Sequence, residues 1–194
     1  MALWIVGLIC LAVGVSAGWS LAHWRLRTAI EDARRDALTG LWNRKAFEEQ
    51  LGVQGAIAAR YEVPLSVVLI DVDRLKEIND TLGHIAGDAA LIGLANRLRD
   101  TSRRADIVAR YGGDEFVLLL PQTDTAGATV LAERLRAGIE AGTAANPQAN
   151  GLTISAGIAT LAAGEDPQQL IARADTALYQ SKHTGRNRVT LAEN

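Results

Sequence analysis

Asp71 and Asp73 stand directly after the apolar run Leu65 to Ile70 (LSVVLI), and Asp114 and Glu115 follow the glycine pair Gly112-Gly113. Carboxylates at a strand end and in a neighbouring turn can converge on a hard divalent cation. Mg2+ suits such a place, because it takes few carboxylates and completes its shell with water and phosphate oxygens. Gly112 and Gly113 remove side chains where a bulky ligand would approach the backbone. These residues could therefore bind a divalent cation together with a phosphate-bearing ligand. Taken alone, Gly-Gly-Asp-Glu is more often an ordinary acidic turn than a metal site.

Other chemistries are poorly served by this chain of 194 residues. Its one cysteine, Cys10, allows neither an intrachain disulfide nor a Cys-rich metal site. Its histidines are His23, His84 and His183, and none lies in a His-Glu-x-x-His pattern, which disfavours a zinc hydrolase. Lys+Arg is 20 and Asp+Glu is 22, a net charge of −2, so nucleic acid is not the expected partner. With 48% hydrophobic and 22% charged residues, the chain can build one packed domain plus a short extra element.

The elements that must position these residues alternate. Asn43 to Ala59 is predicted as a helix, and Leu65 to Ile70 as a central strand buried on both faces. Leu91, Leu94, Ala95 and Leu98 mark an amphipathic helix over Asp88 to Asp100. Ile107 to Arg110 and Phe116 to Leu120 are strands joined by the glycine turn, a hairpin pattern. Leu131, Leu135 and Ile139 mark another helix, and Leu152, Ile154, Ala156 and Ile158 alternate as a half-buried strand. Asp166-Pro167 with Gln169 gives an N-cap, a proline at the first helical position and a near capping box. Val189 to Leu191 closes as a short strand. The order predicts an α+β domain, a sheet with helices packed on it.

Residues 1–36 differ from the rest. Met1 to Ala22 carries no charge, and Leu3 to Ala22 is an apolar run long enough to span about 30 Å as a helix, a bilayer's hydrocarbon thickness. Trp4 lies near one end and Trp19 and Trp24 near the other, where interfacial anchors sit. No basic residue precedes the run, which favours a retained transmembrane helix over a cleaved signal peptide. Arg25, Arg27, Arg34 and Arg35 follow it, so the positive-inside rule puts everything after it in the cytoplasm. The expected organisation is a transmembrane anchor over 1–24, a helical stalk over 25–36 and a catalytic domain over 37–194. Gly14 and Gly18 form a small-xxx-small pair. Leu26, Ile30, Ala33 and Ala37 form a seam under two heptads long, which fits a coiled coil and a solvated stalk equally.

In context, Arg110-Tyr111-Gly112-Gly113-Asp114-Glu115-Phe116 resembles the signature of the GGDEF-type diguanylate cyclases. Further blocks of that family stand in order: Asp36 to Arg44 (DALTGLWNR), Asp71 to Asp80 (DVDRLKEIND), Gly83 to Asp88 (GHIAGD), Ser155 to Ile158 (SAGI) and Ala174 to Asn187. The resemblance covers Asp36 to Leu191 and is far more specific than one short motif. It implies a palm-like nucleotidyl-cyclase fold, with a central, mostly antiparallel sheet. It also implies that two GTP give cyclic di-GMP and two pyrophosphates, each half-site of a homodimer binding one GTP.

The resemblance also carries residue roles. Asp71, the Val72 carbonyl and Asp114 would hold Mg2+ (or Mn2+). Glu115 would be a further metal ligand or help deprotonate the 3′-hydroxyl, so Asp114 and Glu115 are the catalytic pair. Asn79 and Asp88 would read guanine, a carboxylate accepting from N1–H and N2–H2; the plain alternative for Asp88 is a helix cap. His84 would lie near the substrate, with a structural hydrogen bond as its alternative. Lys76, Lys182 and Arg186 would meet phosphate charge, and Gly112 and Gly113 would give the substrate room. Arg103 and Asp106 form an R-x-x-D pattern ahead of the glycine turn that resembles the family's inhibitory product site, which Arg134 could complete from a neighbouring subunit. Leu75 and Leu82 replace phenylalanines common in the family, a change in packing rather than chemistry. Every acidic position is filled, which favours an active enzyme over a non-catalytic module that binds GTP or cyclic di-GMP. An acidic Asp88 favours guanine over adenine. The implied location is the bacterial inner membrane, with the catalytic domain cytoplasmic.

Overall fold

The computed structural model describes residues 33–145 and 151–193. The chain divides into two units, Met1–Arg35 and Asp36–Asn194, and the elements below belong to the second. The expected membrane span over 3–22 and all but the last residues of the expected stalk lie outside the described residues. Among the described residues no helix is long and apolar enough to cross a membrane.

In chain order the elements are β1 (Trp42–Asn43), α1 (Arg44–Tyr61), β2 (Leu65–Asp73), α2 (Leu75–Leu82), α3 (His84–Thr101), β3 (Ile107–Arg110), β4 (Glu115–Pro121), α4 (Thr125–Ala145), β5 (Thr153–Thr160), α5 (Pro167–His183) and β6 (Val189–Leu191). The sheet order is β1-β3-β4-β2-β5-β6. The pairs β3–β4, β4–β2 and β2–β5 are antiparallel, while the edge pairs β1–β3 and β5–β6 are parallel. The sheet is thus mixed, antiparallel through its centre.

β2 is buried at all nine positions because helices cover both faces. Val68, Ile70 and Val72 point into a core shared with Ile78 of α2, Leu94 and Leu98 of α3, and Leu135 of α4. Leu65, Val67 and Leu69 point into a second core with Phe47 and Leu51 of α1 and Leu170 and Leu178 of α5. Period-two alternation delivers one strand's side chains to two cores, which is why its sequence is continuously apolar. α5 lies so close to β5 that a Cβ on Gly157 would stand 2.1 Å from the Ala174 carbonyl oxygen and 2.2 Å from the Leu178 nitrogen. Only glycine fits there.

Local signals account for most helix starts. The Asn43 side chain accepts from Ala46 N at 3.0 Å and starts α1. Asp166 accepts from Gln168 N at 3.0 Å, with Pro167 in the first turn of α5, as expected. Two elements go beyond the sequence reading: the two-residue β1 and the eight-residue α2. A third difference is the start of α3 at His84, after Gly83 at φ 85°, rather than at Asp88. Asp88 therefore lies inside the helix, and its alternative role as an N-cap is corrected.

Candidate active site

The β2–β4 register places Asp71 opposite Glu115. Beyond that pair, Val72 N donates to the Asp114 carbonyl at 3.2 Å. The strand end and the glycine turn are therefore locked side by side through the backbone. Within the turn, Tyr111 N and Gly112 N both donate to the Glu115 carbonyl, at 2.8 and 3.2 Å. A Cβ on Gly112 would stand 2.7 Å from Glu115 Oε2, so glycine there lets the carboxylate fold back over the turn.

Arg110 braces this turn. Its Nη2 donates to the Gly113 carbonyl at 2.7 Å, and its Nη1 reaches both oxygens of Asp36 at 3.1 and 3.3 Å. Asp36 also accepts from Thr39 N at 2.9 Å and Thr39 Oγ1 at 2.6 Å. One guanidinium fork thus ties the first turn of the domain to the carboxylate-bearing hairpin, by bonds of the strong charge-assisted kind. Both residues stand inside the sequence motifs, which do not reveal this role. A basic residue abutting a glycine turn, with an Asp-x-x-Thr turn upstream, was the available signal.

Asp71 is only 4% exposed. Burial pushes its carboxyl up, the Lys182 hydrogen bond pulls it down, and the charges of Asp114 and Glu115 push it up again, to about 6. Lys182 Nζ lies 2.6 Å from Asp71 Oδ2. One ammonium at a buried carboxylate flanked by two acidic side chains undercompensates the negative charge, so the place suits a further cation. Among the described residues no three carboxylate, imidazole or thiolate side chains converge as a self-sufficient metal cage. Mg2+ binding of the kind that draws its remaining oxygens from substrate phosphates and water needs no such cage. Asp71, the Val72 carbonyl, Asp114 and Glu115 are the oxygen donors that would hold it.

Asp73 is different. It shares a face of β2 with Asp71, yet it accepts from Ser155 Oγ at 2.7 Å, Thr153 Oγ1 at 2.8 Å and Asn187 N at 3.0 Å. With three donors satisfied, its carboxylate is engaged in structure. The metal set expected from the sequence (Asp71, Val72, Asp114 and Glu115) does not include Asp73, and its three donors give it a structural place.

The base-reading candidates gather at the α2–α3 junction. Asn79 Oδ1 is buried and accepts no hydrogen bond. A buried unpaired acceptor is costly, on the order of 1–3 kcal/mol, unless a donor arrives. Guanine N–H groups are donors of that kind. Gly87 makes the room, since a Cβ there would fall 1.9 Å from Asn79 Oδ1. Asp88, His84 and Lys76 are exposed nearby on α3 and α2. Lys182 lies in the last turn of α5, and Arg186 is exposed in the loop after it. A separate groove of about 930 Å3 between α3 and α4, lined by Ile78, Leu94, Gly138 and Leu152 among others, holds none of the site's carboxylates.

Arg103, Asp106 and Arg134 line one cavity of about 80 Å3 within a single chain. The sequence reading drew Arg134 from a neighbouring subunit; here it stands in the same pocket as Arg103. Arg103 N donates to Asp106 Oδ2 at 2.7 Å, Arg134 Nη2 donates to the Thr101 carbonyl at 2.9 Å, and burial pushes the Asp106 carboxyl up.

The family described as "Diguanylate cyclase, GGDEF domain" matches residues 33–188. The chain belongs to the GGDEF family. It is 41% identical over 175 residues to the diguanylate cyclase DgcP of Pseudomonas aeruginosa, covering 88% of this chain and 26% of that protein. It is 43% identical over 176 residues to DgcM of Escherichia coli, covering 87% and 41%. The chain thus spans about a quarter to two-fifths of the length of these curated relatives. Among solved structures, the coiled coil and GGDEF domain of DgcB from Caulobacter crescentus, in complex with c-di-GMP, superposes with a TM-score of 0.89 at 31% identity. That match covers 95% of this chain and 99% of the other. The GGDEF fold expected from the sequence is therefore the observed one.

Proposed function

We propose that this chain is a diguanylate cyclase, which condenses two GTP into cyclic di-GMP and releases two pyrophosphates. The observation that carries the reading is the buried Asp71 facing the half-exposed Gly112-Gly113-Asp114-Glu115 turn, with Lys182 at its edge. In each half-reaction the 3′-oxygen of one GTP bonds to the α-phosphorus of the other. The bond from that phosphorus to the bridging oxygen breaks, pyrophosphate leaves, and the hydroxyl proton is lost. Bound Mg2+ would neutralise phosphate charge in the transition state. Glu115 takes up the 3′-hydroxyl proton or joins the metal ligands. Asn79 and Asp88 accept from the guanine edge, with His84 beside them. Lys76, Lys182 and Arg186 meet the triphosphate, and Gly112 and Gly113 leave space for it. Two such domains face each other as a homodimer.

The reading extends to regulation and place. Arg103, Asp106 and Arg134 bind cyclic di-GMP as a product inhibitor, guanidinium forks gripping phosphate or guanine and the carboxylate accepting from guanine. An initial-rate titration with added cyclic di-GMP tests this. Residues 3–22 anchor the protein in the bacterial inner membrane with the catalytic domain in the cytoplasm. Fractionation of cells expressing the full chain tests that, and recovery in the soluble fraction would refute it.

The direct test of activity is mass-spectrometric detection of cyclic di-GMP after incubating the full chain with GTP and Mg2+. Asp114→Ala should lower the rate by about a hundredfold or more, since most catalysis here is electrostatic positioning. Product formation by that variant at the wild-type rate would show the metal assignment to be wrong.

A further inference from the structure

The second carboxylate of the Asp71-x-Asp73 pair is spent on a loop. Two donors to Asp73, Thr153 and Ser155, come from the adjacent strand β5, but the third is the backbone N–H of Asn187 between α5 and β6. Arg186 and Asn187 both adopt left-handed backbone conformations, φ 62° and 46°. Non-glycine residues hold such conformations when their surroundings over-determine them, and this occurs most often at functional sites.

Asn187 is over-determined. Its Oδ1 accepts from Arg136 Nη1 at 3.0 Å, and its Nδ2 donates to Glu140 Oε1 at 2.8 Å. Arg136 is fixed in turn by Glu133 at 2.8 Å and Glu140 at 2.9 Å. One residue is thus gripped through its backbone by β2 and through its side chain by α4. The loop it holds begins where Lys182 leaves α5, with the ammonium 2.6 Å from Asp71, and it carries Arg186 itself.

We propose that Asp73, Asn187 and Arg136 are positioning residues for the triphosphate: they pin the loop between α5 and β6 so that Lys182 and Arg186 stand at the strand end that carries Asp71. The proposal rests on the reading of this site as one for GTP. It separates the two aspartates of the motif, Asp71 facing the metal and Asp73 aligning the cations. Three elements distant in sequence (the end of β2, the middle of α4 and the loop after α5) then act on one substrate group. They should leave base recognition untouched, because Asn79 and Asp88 lie at the α2–α3 junction.

The experiment uses the full chain, Mg2+ and two probes that cannot condense, 3′-deoxy-GTP and 3′-deoxyguanosine, with thermal melts in parallel. Asn187→Gly keeps the left-handed backbone and the N–H to Asp73 but removes the grip of Arg136 and Glu140. The dissociation constant for 3′-deoxy-GTP should rise about five- to tenfold, in keeping with the loss of hydrogen bonds to charged partners, while that for the nucleoside changes less than about twofold. Arg136→Met should weaken the triphosphate similarly, and the double variant should be no weaker than the worse single one, since both act through the grip of α4 on the Asn187 side chain. Equal weakening of both probes, or unchanged 3′-deoxy-GTP binding with only a lowered melting temperature, would overturn the proposal. A wild-type chain that bound 3′-deoxy-GTP no better than the nucleoside would fail one step earlier, by refuting the GTP reading itself.

Discussion

Asp71 concentrates the electrostatics of the site in one residue. Its type and place at a strand end were readable, but its environment was not, because burial and the approach of Lys182 arise only when β2, β4 and α5 meet. Asp73 shows the same limit. Two identical residues two positions apart share a face by strand periodicity, and only their partners tell a ligand from a brace. Asn79 was legible as a base reader only through its motif; the buried, unpaired oxygen that supports the role is a tertiary fact. The shift of Asp71 from 3.8 to about 6 has a definite sign. A raised carboxyl favours the protonated form in the fold, so its contribution to stability is greatest below about pH 4. That contribution is lost as pH rises through about 6, and the cost of the buried charge is complete above it. A bound cation reverses the preference by requiring the carboxylate, so Mg2+ and the proton compete. The half-saturating Mg2+ concentration should therefore be flat above about pH 7 and rise up to about tenfold per unit below about pH 6. Initial rates measured across Mg2+ series at several pH values check this. A Mg2+ requirement that did not change between about pH 5 and 7 would mean that Asp71 is not a ligand.

Elements follow the sequence closely where the hydrophobic period is long and fail where it is short. The strand Leu65–Ile70 and the hairpin around Gly112-Gly113 are present as read, because continuous apolar runs and paired glycines leave few alternatives. α2 escaped because Leu75, Ile78 and Leu82 give only two helical turns, too few for a period to stand out. The two-residue β1 carries no pattern at all and exists only because β3 lies alongside it. The R-x-x-D pattern was legible as four letters, but its pocket needs the end of α3, the start of β3 and the face of α4 together. Arg103 is exposed at the rim of that pocket, away from the carboxylates of the hairpin. Arg103→Ala should therefore raise the cyclic di-GMP concentration for half-inhibition about tenfold or more, the scale of one charge-assisted fork, while the initial rate without added product stays within about twofold. Identical inhibition curves for variant and wild type would remove Arg103 from the product site.

At the scale of the whole molecule, the proposed condensation of two GTP would need two facing half-sites, and one GGDEF domain supplies one. Residues 36–194 form a compact unit in their own right. For pairing we look to the residues before that unit, whose sequence reads as a membrane span followed by a short apolar seam. A span confines the enzyme to two dimensions and raises its effective concentration, which favours pairing without any new contact between the catalytic domains. Gly14 and Gly18 would allow close helix contact, and Leu26, Ile30, Ala33 and Ala37 would carry it toward the domain. We propose on this argument that residues 1–36 serve as a dimerising anchor. Protein beginning at Asp36 should be soluble and mostly monomeric, with a rate per enzyme that climbs with protein concentration, whereas the full chain in lipid should hold its specific activity on dilution. Fusing a leucine-zipper dimer to Asp36 should restore activity at low concentration, since it supplies the same proximity by another route. Cyclic di-GMP formation measured over a hundredfold dilution series, beside sedimentation of each form, distinguishes the outcomes. If the shortened protein matched the full chain at every concentration, pairing would belong to the catalytic domain alone, and the anchor would have no part in it.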